Sequence, residues 1–277
     1  LGDVIFETPA IRVIKENFPN SHLITITPRR CVDILEENPF VDEVIAFGEK
    51  KDEKNIFRIF KLIHELKKRN IDRVYLFHRS ATRARFALWS DIKERIGYDT
   101  KGRSKFLTRA VPEPERPIHD VQYFLNLLSQ TGLQVRNDYH YEFYFTPDDQ
   151  KKVDLLLDNH KIDPNRLVAI NPGANWIPKR WPPSYFRDLA HQLTGRFGIQ
   201  IVLTGSEDDC SVANEILNQS THKSIVSFCG KTTVRELGAL FSKCRLVISN
   251  DTGPLHIAAG VGSNVLGIFG PTASRET

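Results

Sequence analysis

The sequence predicts an α/β fold with two Rossmann-like domains of parallel sheet. Three observations carry this expectation. Short β-branched runs alternate with amphipathic segments along 277 residues, and strand–helix alternation of that kind makes right-handed parallel crossovers. The runs are too numerous for a single sheet and fit two sheets better. Several of them end in polar turns that lead into a helix, the arrangement found at the ligand-binding edge of such sheets.

In chain order, strands are expected at Leu23–Thr27, Val44–Phe47, Arg73–Phe77, Tyr141–Phe145, Leu167–Asn171, Ile199–Thr204, Ser224–Phe228, Leu246–Ser249 and Asn264–Phe269. Between them, Ile56, Ile59, Phe60, Ile63 and Leu66 keep helical spacing, as do Val121, Phe124, Leu125 and Leu128. The same spacing recurs at Phe186, Leu189, Ala190 and Leu193, and at Val234, Leu237, Leu240 and Phe241. The domain border is expected near Thr146-Pro147-Asp148, giving domains of residues 1–147 and 148–277. A cleft between the C-terminal strand edges of the two domains is then the expected ligand site.

Composition is that of a globular protein, with 40% hydrophobic residues and no low-complexity tract. No apolar run approaches the roughly 20 residues that span a bilayer, and no signal-peptide pattern is present. Cys31, Cys210, Cys229 and Cys244 are scattered, without paired or metal-like spacing, which points to a reduced, cytoplasmic protein without structural zinc. The chain contains no methionine, starts at Leu1-Gly2-Asp3 without a leading apolar strand, and stops at Arg275-Glu276-Thr277. It reads as part of a longer protein. The net charge is only +4, but Arg73–Arg109 holds ten basic residues against three acidic ones. Such a segment is either a solvated face or a surface for an anionic partner. Its aromatic residues are spread too thinly for a nucleic-acid stacking platform, so no nucleic-acid partner is expected.

The most informative turn is Ser249-Asn250-Asp251-Thr252-Gly253-Pro254-Leu255-His256. Asp251 or Thr252 can cap the following helix, Gly253 admits close approach, and Pro254 suits the first helical position. A helix that opens this way is either merely well capped or an anion site, usually for phosphate. A second turn, Asn171-Pro172-Gly173-Ala174-Asn175-Trp176-Ile177-Pro178-Lys179-Arg180-Trp181-Pro182, brings two cations to the same edge. Two such turns can hold the two halves of a diphosphate. A third, Thr204-Gly205-Ser206-Glu207, places an acid where ribose hydroxyls are often accepted, or where a first-turn acid complements the helix dipole. GxGxxG, GxSxG and HExxH patterns are absent. Gly230-Lys231-Thr232-Thr233 fails as a P-loop because Ile225 stands where its first glycine belongs.

Taken together, Leu1-Gly2-Asp3, Asn171-Pro172-Gly173 with Lys179-Arg180-Trp181-Pro182, Thr204-Gly205-Ser206-Glu207, the Ser249–His256 turn and Gly267-Ile268-Phe269-Gly270-Pro271-Thr272 resemble glycosyltransferase family 9, the heptosyltransferases of lipopolysaccharide inner-core assembly. The wording is closer to the second heptosyltransferase than to the first. The resemblance implies a GT-B fold, an N-terminal acceptor domain and a C-terminal nucleotide-sugar domain. It implies inverting transfer from ADP-L-glycero-D-manno-heptose to an anionic lipid A-core acceptor at the cytoplasmic face of the inner membrane. Asp3 would be the general base, although Asp3 read alone is better explained as a helix cap ahead of Pro9. Gly173, Asn175, Lys179, Glu207, Thr232, Asp251, Thr252, Gly253 and His256 would bind the donor. The family's Thr-Thr pair is replaced here by Ala174-Asn175, which moves those contacts to backbone or to Asn175. Arg79, Arg83 and Arg85 would face the acceptor's carboxylates and phosphates. No cofactor and no metal is expected, since the sequence lacks an Asp-x-Asp motif and cations can take a metal's place. The competing readings are a family member with another nucleotide sugar, a sugar-nucleotide epimerase of the same fold, and a non-catalytic nucleotide-binding module.

Overall fold

The computed structural model describes residues 1–49, 52, 54–136, 138–218 and 224–272. Arg275, Glu276 and Thr277, where the sequence stops, lie outside the described residues. The chain forms two compact units. One contains Phe6–Val32 and Phe40–Tyr139; the other contains Leu1–Ile5, Asp33–Pro39 and the described residues from His140 on.

In chain order the first elements are α1 (Gly2–Asn17), β1 (Ile24–Thr27), α2 (Val32–Leu35) and β2 (Glu43–Ala46). They are followed by α3 (Ile56–Lys68), β3 (Arg73–Leu76), α4 (Ala81–Trp89), β4 (Glu94–Tyr98), β5 (Arg109–Val111) and α5 (Asp120–Gln130). All ladders of this half are parallel: β1 pairs β2, and β3-β4-β5 form a second sheet. Two of these strands, β4 and β5, have no counterpart among the expected strands. In β4 the pattern is hidden by charge, because Glu94 lies directly across the ladder from Arg73 and forms an ion pair with it. Arg103 is fully buried behind this sheet. Its guanidinium donates to the carbonyls of Tyr98, His78 and Leu76. Burial lowers its pKa from the ordinary value, while the three carbonyl acceptors satisfy its donors.

The second half comprises α6 (Pro147–Asn159), β6 (Leu167–Asn171), α7 (Pro183–Phe197), β7 (Gln200–Leu203), α8 (Cys210–Asn218), β8 (Ile225–Ser227), α9 (Val234–Ser242), β9 (Leu246–Asn250), α10 (Gly253–Gly260) and β10 (Val265–Ile268). The five strands form one parallel sheet in the order β10-β9-β6-β7-β8. Every residue of β6 is buried, as a central strand covered on both faces requires. Val168, Ile170, Ile201 and Leu203 pack there against Phe186 of α7 and Ile216 of α8. The chain runs outward from β6 through β7 to β8, then returns to the other side of β6 as β9. The order therefore reverses between β6 and β9, the switch point at which open α/β sheets bind ligands beyond the strands' C-terminal ends.

The expected strand at Tyr141–Phe145 does not form. Residues 140–146 make no ladder, and the Phe143 amide donates instead to the Gly260 carbonyl at 3.2 Å. The Phe143 ring fills the space beside Gly238 of α9, where a Cβ would overlap it, and a Cβ on Gly260 would lie 3.0 Å from the Phe143 Cβ. An alternating apolar pattern here serves wedge packing between two helices. The next residues, Thr146-Pro147-Asp148-Asp149, begin α6 with a capping box in which Thr146 and Asp149 bond each other's backbone amides. Gly238→Ala forces the Phe143 ring out of its place, and we expect it to destabilise the protein by about 1–3 kcal/mol, measured by urea denaturation.

Candidate active site

At the switch point, Asn250 closes the edge between β6 and β9. Its side-chain amide donates to the Pro172 carbonyl at 2.8 Å, and its carbonyl oxygen accepts the Trp181 amide at 3.1 Å. The loop after β6 is thereby tied at two points to the end of β9. Arg180 fastens the same loop from within, donating from Nε to the Ala174 carbonyl at 2.7 Å. Gly173 allows the close approach of a neighbour rather than an open space: a Cβ there would collide with the carboxylate of Asp209. That carboxylate in turn caps the short helical turn at Glu207–Asp209 through the Ser206 amide and hydroxyl.

This clamp brings Lys179 to Asp251. The Lys179 ammonium lies 2.6 Å from Asp251 Oδ2, and Thr272 donates to the same oxygen at 2.7 Å. The other carboxylate oxygen, Oδ1, lies 3.8 Å from His256 Nε2. Asp251 is 2% exposed. Burial by itself would raise its pKa, but the hydrogen bonds from Lys179 and Thr272 and the nearby positive charge hold it below the ordinary 3.8. Asp251 takes one of the three Lys179 N–H donors, and the ammonium makes no second hydrogen bond among the described residues.

Thr252 occupies the N-cap position of α10, but its side chain does not cap. Its hydroxyl donates to the Asn250 carbonyl, and Asp251 is engaged with Lys179 and Thr272. Pro254 has no N–H and the Leu255 amide donates to the Thr252 carbonyl at 3.0 Å, so the Gly253 amide is left at the positive end of α10 with no side-chain cap from Thr252. Leu1 and Gly2 lie against this helix. A Cβ on Gly253 would come within 2.6 Å of Leu1 Cβ, and a Cβ on Gly2 within 3.1 Å of the His256 ring. Asp3 is exposed in the first turn of α1, where an acid complements the dipole. Glu207 is exposed on its turn after β7 and packs beside Gly230, which adopts a left-handed φ of 69°. Thr232 follows that glycine and is half-buried, and Asn175 is exposed on the loop after β6.

The three expected acceptor arginines make separate contacts in the other unit. Arg79 donates from Nε to the Tyr123 hydroxyl at 2.9 Å, pairs with Glu113 at 3.0 Å, and lies over the Tyr123 ring. Arg83 is half-buried on α4, with its guanidinium 3.2 Å from where a Cβ on Gly48 would sit. Arg85, two residues on, is exposed on another face of α4 over Trp89 and Phe106. All four cysteines are free. Burial pushes the Cys229 thiol up to about 11 and Cys244 up to about 12, so neither is a thiolate nucleophile at neutral pH.

The profile of Glycosyltransferase family 9 (heptosyltransferase) matches residues 59–277. The chain belongs to this family. It is a glycosyltransferase, with the GT-B fold of its structural neighbours. It is 24% identical to lipopolysaccharide heptosyltransferase 2 of Salmonella typhimurium, over all of this chain and 82% of that protein. It is 28% identical to lipopolysaccharide heptosyltransferase 3 of Escherichia coli, over 98% of this chain and 81% of that one. The solved ADP-heptose lipopolysaccharide heptosyltransferase II of E. coli superposes with a TM-score of 0.83 at 24% identity, covering all of this chain and 84% of that one.

Thr272, Asn250 and Asp209 belong to this arrangement but are missing from the residues expected by sequence. Thr272 and Asn250 lie within the motifs quoted above, and Asp209 stands three residues after Ser206, the spacing of a capping box. Asp251→Asn breaks a buried ion pair and is expected to cost about 3 kcal/mol at neutral pH. The wild-type carboxyl titrates below 3.8 when folded, so the unfolded chain takes up the proton first as the pH falls. The stability difference between wild type and Asp251→Asn should therefore be constant well above pH 3.8 and shrink below it. Urea denaturation across pH reads both.

Proposed function

We propose that this glycosyltransferase moves L-glycero-D-manno-heptose from ADP-heptose, with inversion, to heptosylated Kdo2-lipid A in the lipopolysaccharide inner core. The enzyme acts at the cytoplasmic face of the inner membrane, with residues 1–147 serving the acceptor and 148–277 the donor. The observation that carries this reading is the packing of Leu1 and Gly2 on Gly253 and His256. It puts the start of α1, and with it Asp3, in the same unit as the Lys179–Asp251 pair and the open end of α10. A base and a leaving-group site are what an inverting displacement needs side by side.

In that reaction the acceptor hydroxyl attacks the anomeric carbon, Asp3 takes its proton, and the bond from that carbon to the diphosphate oxygen breaks. Charge grows on the departing ADP. Lys179 and the Gly253 amide at the start of α10 stabilise that charge, the electrostatic contribution that usually dominates such catalysis. Asp251 and Thr272 hold Lys179 in place before the donor arrives. Gly173 and Asn175 border the diphosphate from the β6 loop, Thr252, Gly253 and His256 border it from β9, and Glu207 with Thr232 takes the ribose. The relatives' names support heptosyl transfer in lipopolysaccharide and divide between heptosyltransferases 2 and 3, and the solved E. coli enzyme is named for ADP-heptose.

Purified protein with ADP-heptose should release ADP only when a heptosylated Kdo2-lipid A acceptor is added. ADP release without any acceptor, or transfer to Kdo2-lipid A alone, would refute the assignment. Asp3→Asn should lower kcat by about 10²- to 10⁴-fold, the worth of a positioned base, while ADP affinity measured by calorimetry stays unchanged. Activity should persist in excess chelator. Arg85→Glu should raise KM for the acceptor and leave donor KM unchanged; a weakened donor instead counts against the acceptor role of that face.

A further inference from the structure

Helix α3 is amphipathic in an unusual sense, because both of its faces carry large apolar side chains. One face, with Leu62, Ile63 and Leu66, is buried. The other begins with Ile56, Phe57 and Phe60, which are 60%, 82% and 63% exposed. At about 100° per residue these three fall within one quarter to one third of the helix circumference. Further along the same exposed side come Lys61, His64, Lys67 and Lys68, all solvent-exposed. Lys67 pairs with the exposed Asp91 at 2.8 Å, and Arg58 pairs with Asp52. Lys61 and Lys68 have no acidic partner among the described residues. Asn55 caps the helix through the Phe57 and Arg58 amides, so the exposed aromatic turn is held in helical geometry.

We propose that this face of α3 docks on an anionic bilayer surface. Ile56, Phe57 and Phe60 enter the boundary between headgroups and acyl chains, and the lysines that follow meet the lipid phosphates. Two features favour lipid over a protein partner. Three apolar side chains are far from filling the roughly 1,000 Å² that a specific protein interface needs, whereas an interfacial helix needs only a short apolar strip. The strip is followed by long, flexible cations, which attract an anionic leaflet. Helix α4, which packs beside α3, adds an exposed Trp89 under Arg85, the amphipathic pairing enriched where protein meets the membrane interface. The inference deepens the membrane-side placement proposed above, but it rests on α3 alone, and its test involves no turnover.

The test is flotation of the protein with vesicles of phosphatidylcholine alone and of phosphatidylcholine mixed with phosphatidylglycerol. Binding to the anionic vesicles should exceed binding to neutral ones, and Phe57→Ser/Phe60→Ser should lower it at least tenfold. Lys61→Glu/Lys68→Glu should lower it too, and added salt should weaken wild-type binding. Because all four side chains are exposed, the variants should unfold at the wild-type temperature, and their turnover on a short, water-soluble acceptor should be unchanged. Equal flotation of wild type and the Phe57→Ser/Phe60→Ser variant overturns the proposal. So does a wild-type dimer in sedimentation that this variant dissolves, which would assign the face to a second copy of the chain. Failure of the heptosyl-transfer assay with vesicle binding intact would refute the proposed reaction and leave this surface standing.

Discussion

The carboxylate of Asp251 is the point on which the ligand edge of the C-terminal sheet converges. One oxygen accepts from Lys179, which arrives from the loop after β6, and from Thr272, which arrives from the loop after β10. The residue itself follows β9 directly. Three loops from three strands of one sheet thus meet at a single buried charge. A charge at 2% exposure is tolerable only if it is paired and hydrogen-bonded, so the ion pair fixes the loops as much as the loops fix the pair. The strand reversal between β6 and β9 makes this convergence possible, and Asn250 holds it shut by bonding across to Pro172 and Trp181.

Much of this was legible in the sequence because parallel strands buried on both faces read as continuous apolar runs. Leu167–Asn171 matches its strand residue for residue, and Leu246–Ser249 falls one residue short of β9. The turns after them stood out through glycine, proline and charge. The helical spacings at Ile56, Val121, Phe186 and Val234 all fall on observed helices. Failures occurred where side chains serve partners distant in sequence. Glu94 and Arg73 conceal a strand because they neutralise each other across the ladder. Tyr141–Phe145 imitates a strand because its aromatic run serves packing instead, with Phe143 filling the space beside Gly238 and Gly260.

The site residues divide along the same line. Lys179, Asp251 and His256 were visible as types of residue at a suitable edge, but nothing in the sequence indicated that Lys179 and Asp251 bond each other. Gly173 was read as room for a ligand, and its lack of a Cβ is used by Asp209. Asp209 is legible only as the partner of Ser206 in a capping box. Arg79, Arg83 and Arg85 are close in sequence but have three different surroundings, because residues two and four apart on a strand-to-helix turn point in different directions. Sequence proximity identified the basic segment; only folding separated its members.

The 72 positions that separate Lys179 from Asp251 have a consequence for how the protein matures. Between them the chain must lay down β7, β8 and three helical crossovers before β9 can return beside β6. Contacts of such sequence separation form late, because loop-closure entropy is lost before the contact can offset it. The Lys179–Asp251 pair therefore does not exist in a half-folded C-terminal unit. Under the proposed function, a nucleotide bound there would bind only the finished sheet and draw the folding equilibrium toward it by mass action. The substrate pool of the cell would in this way act as a folding aid for the enzyme that consumes it.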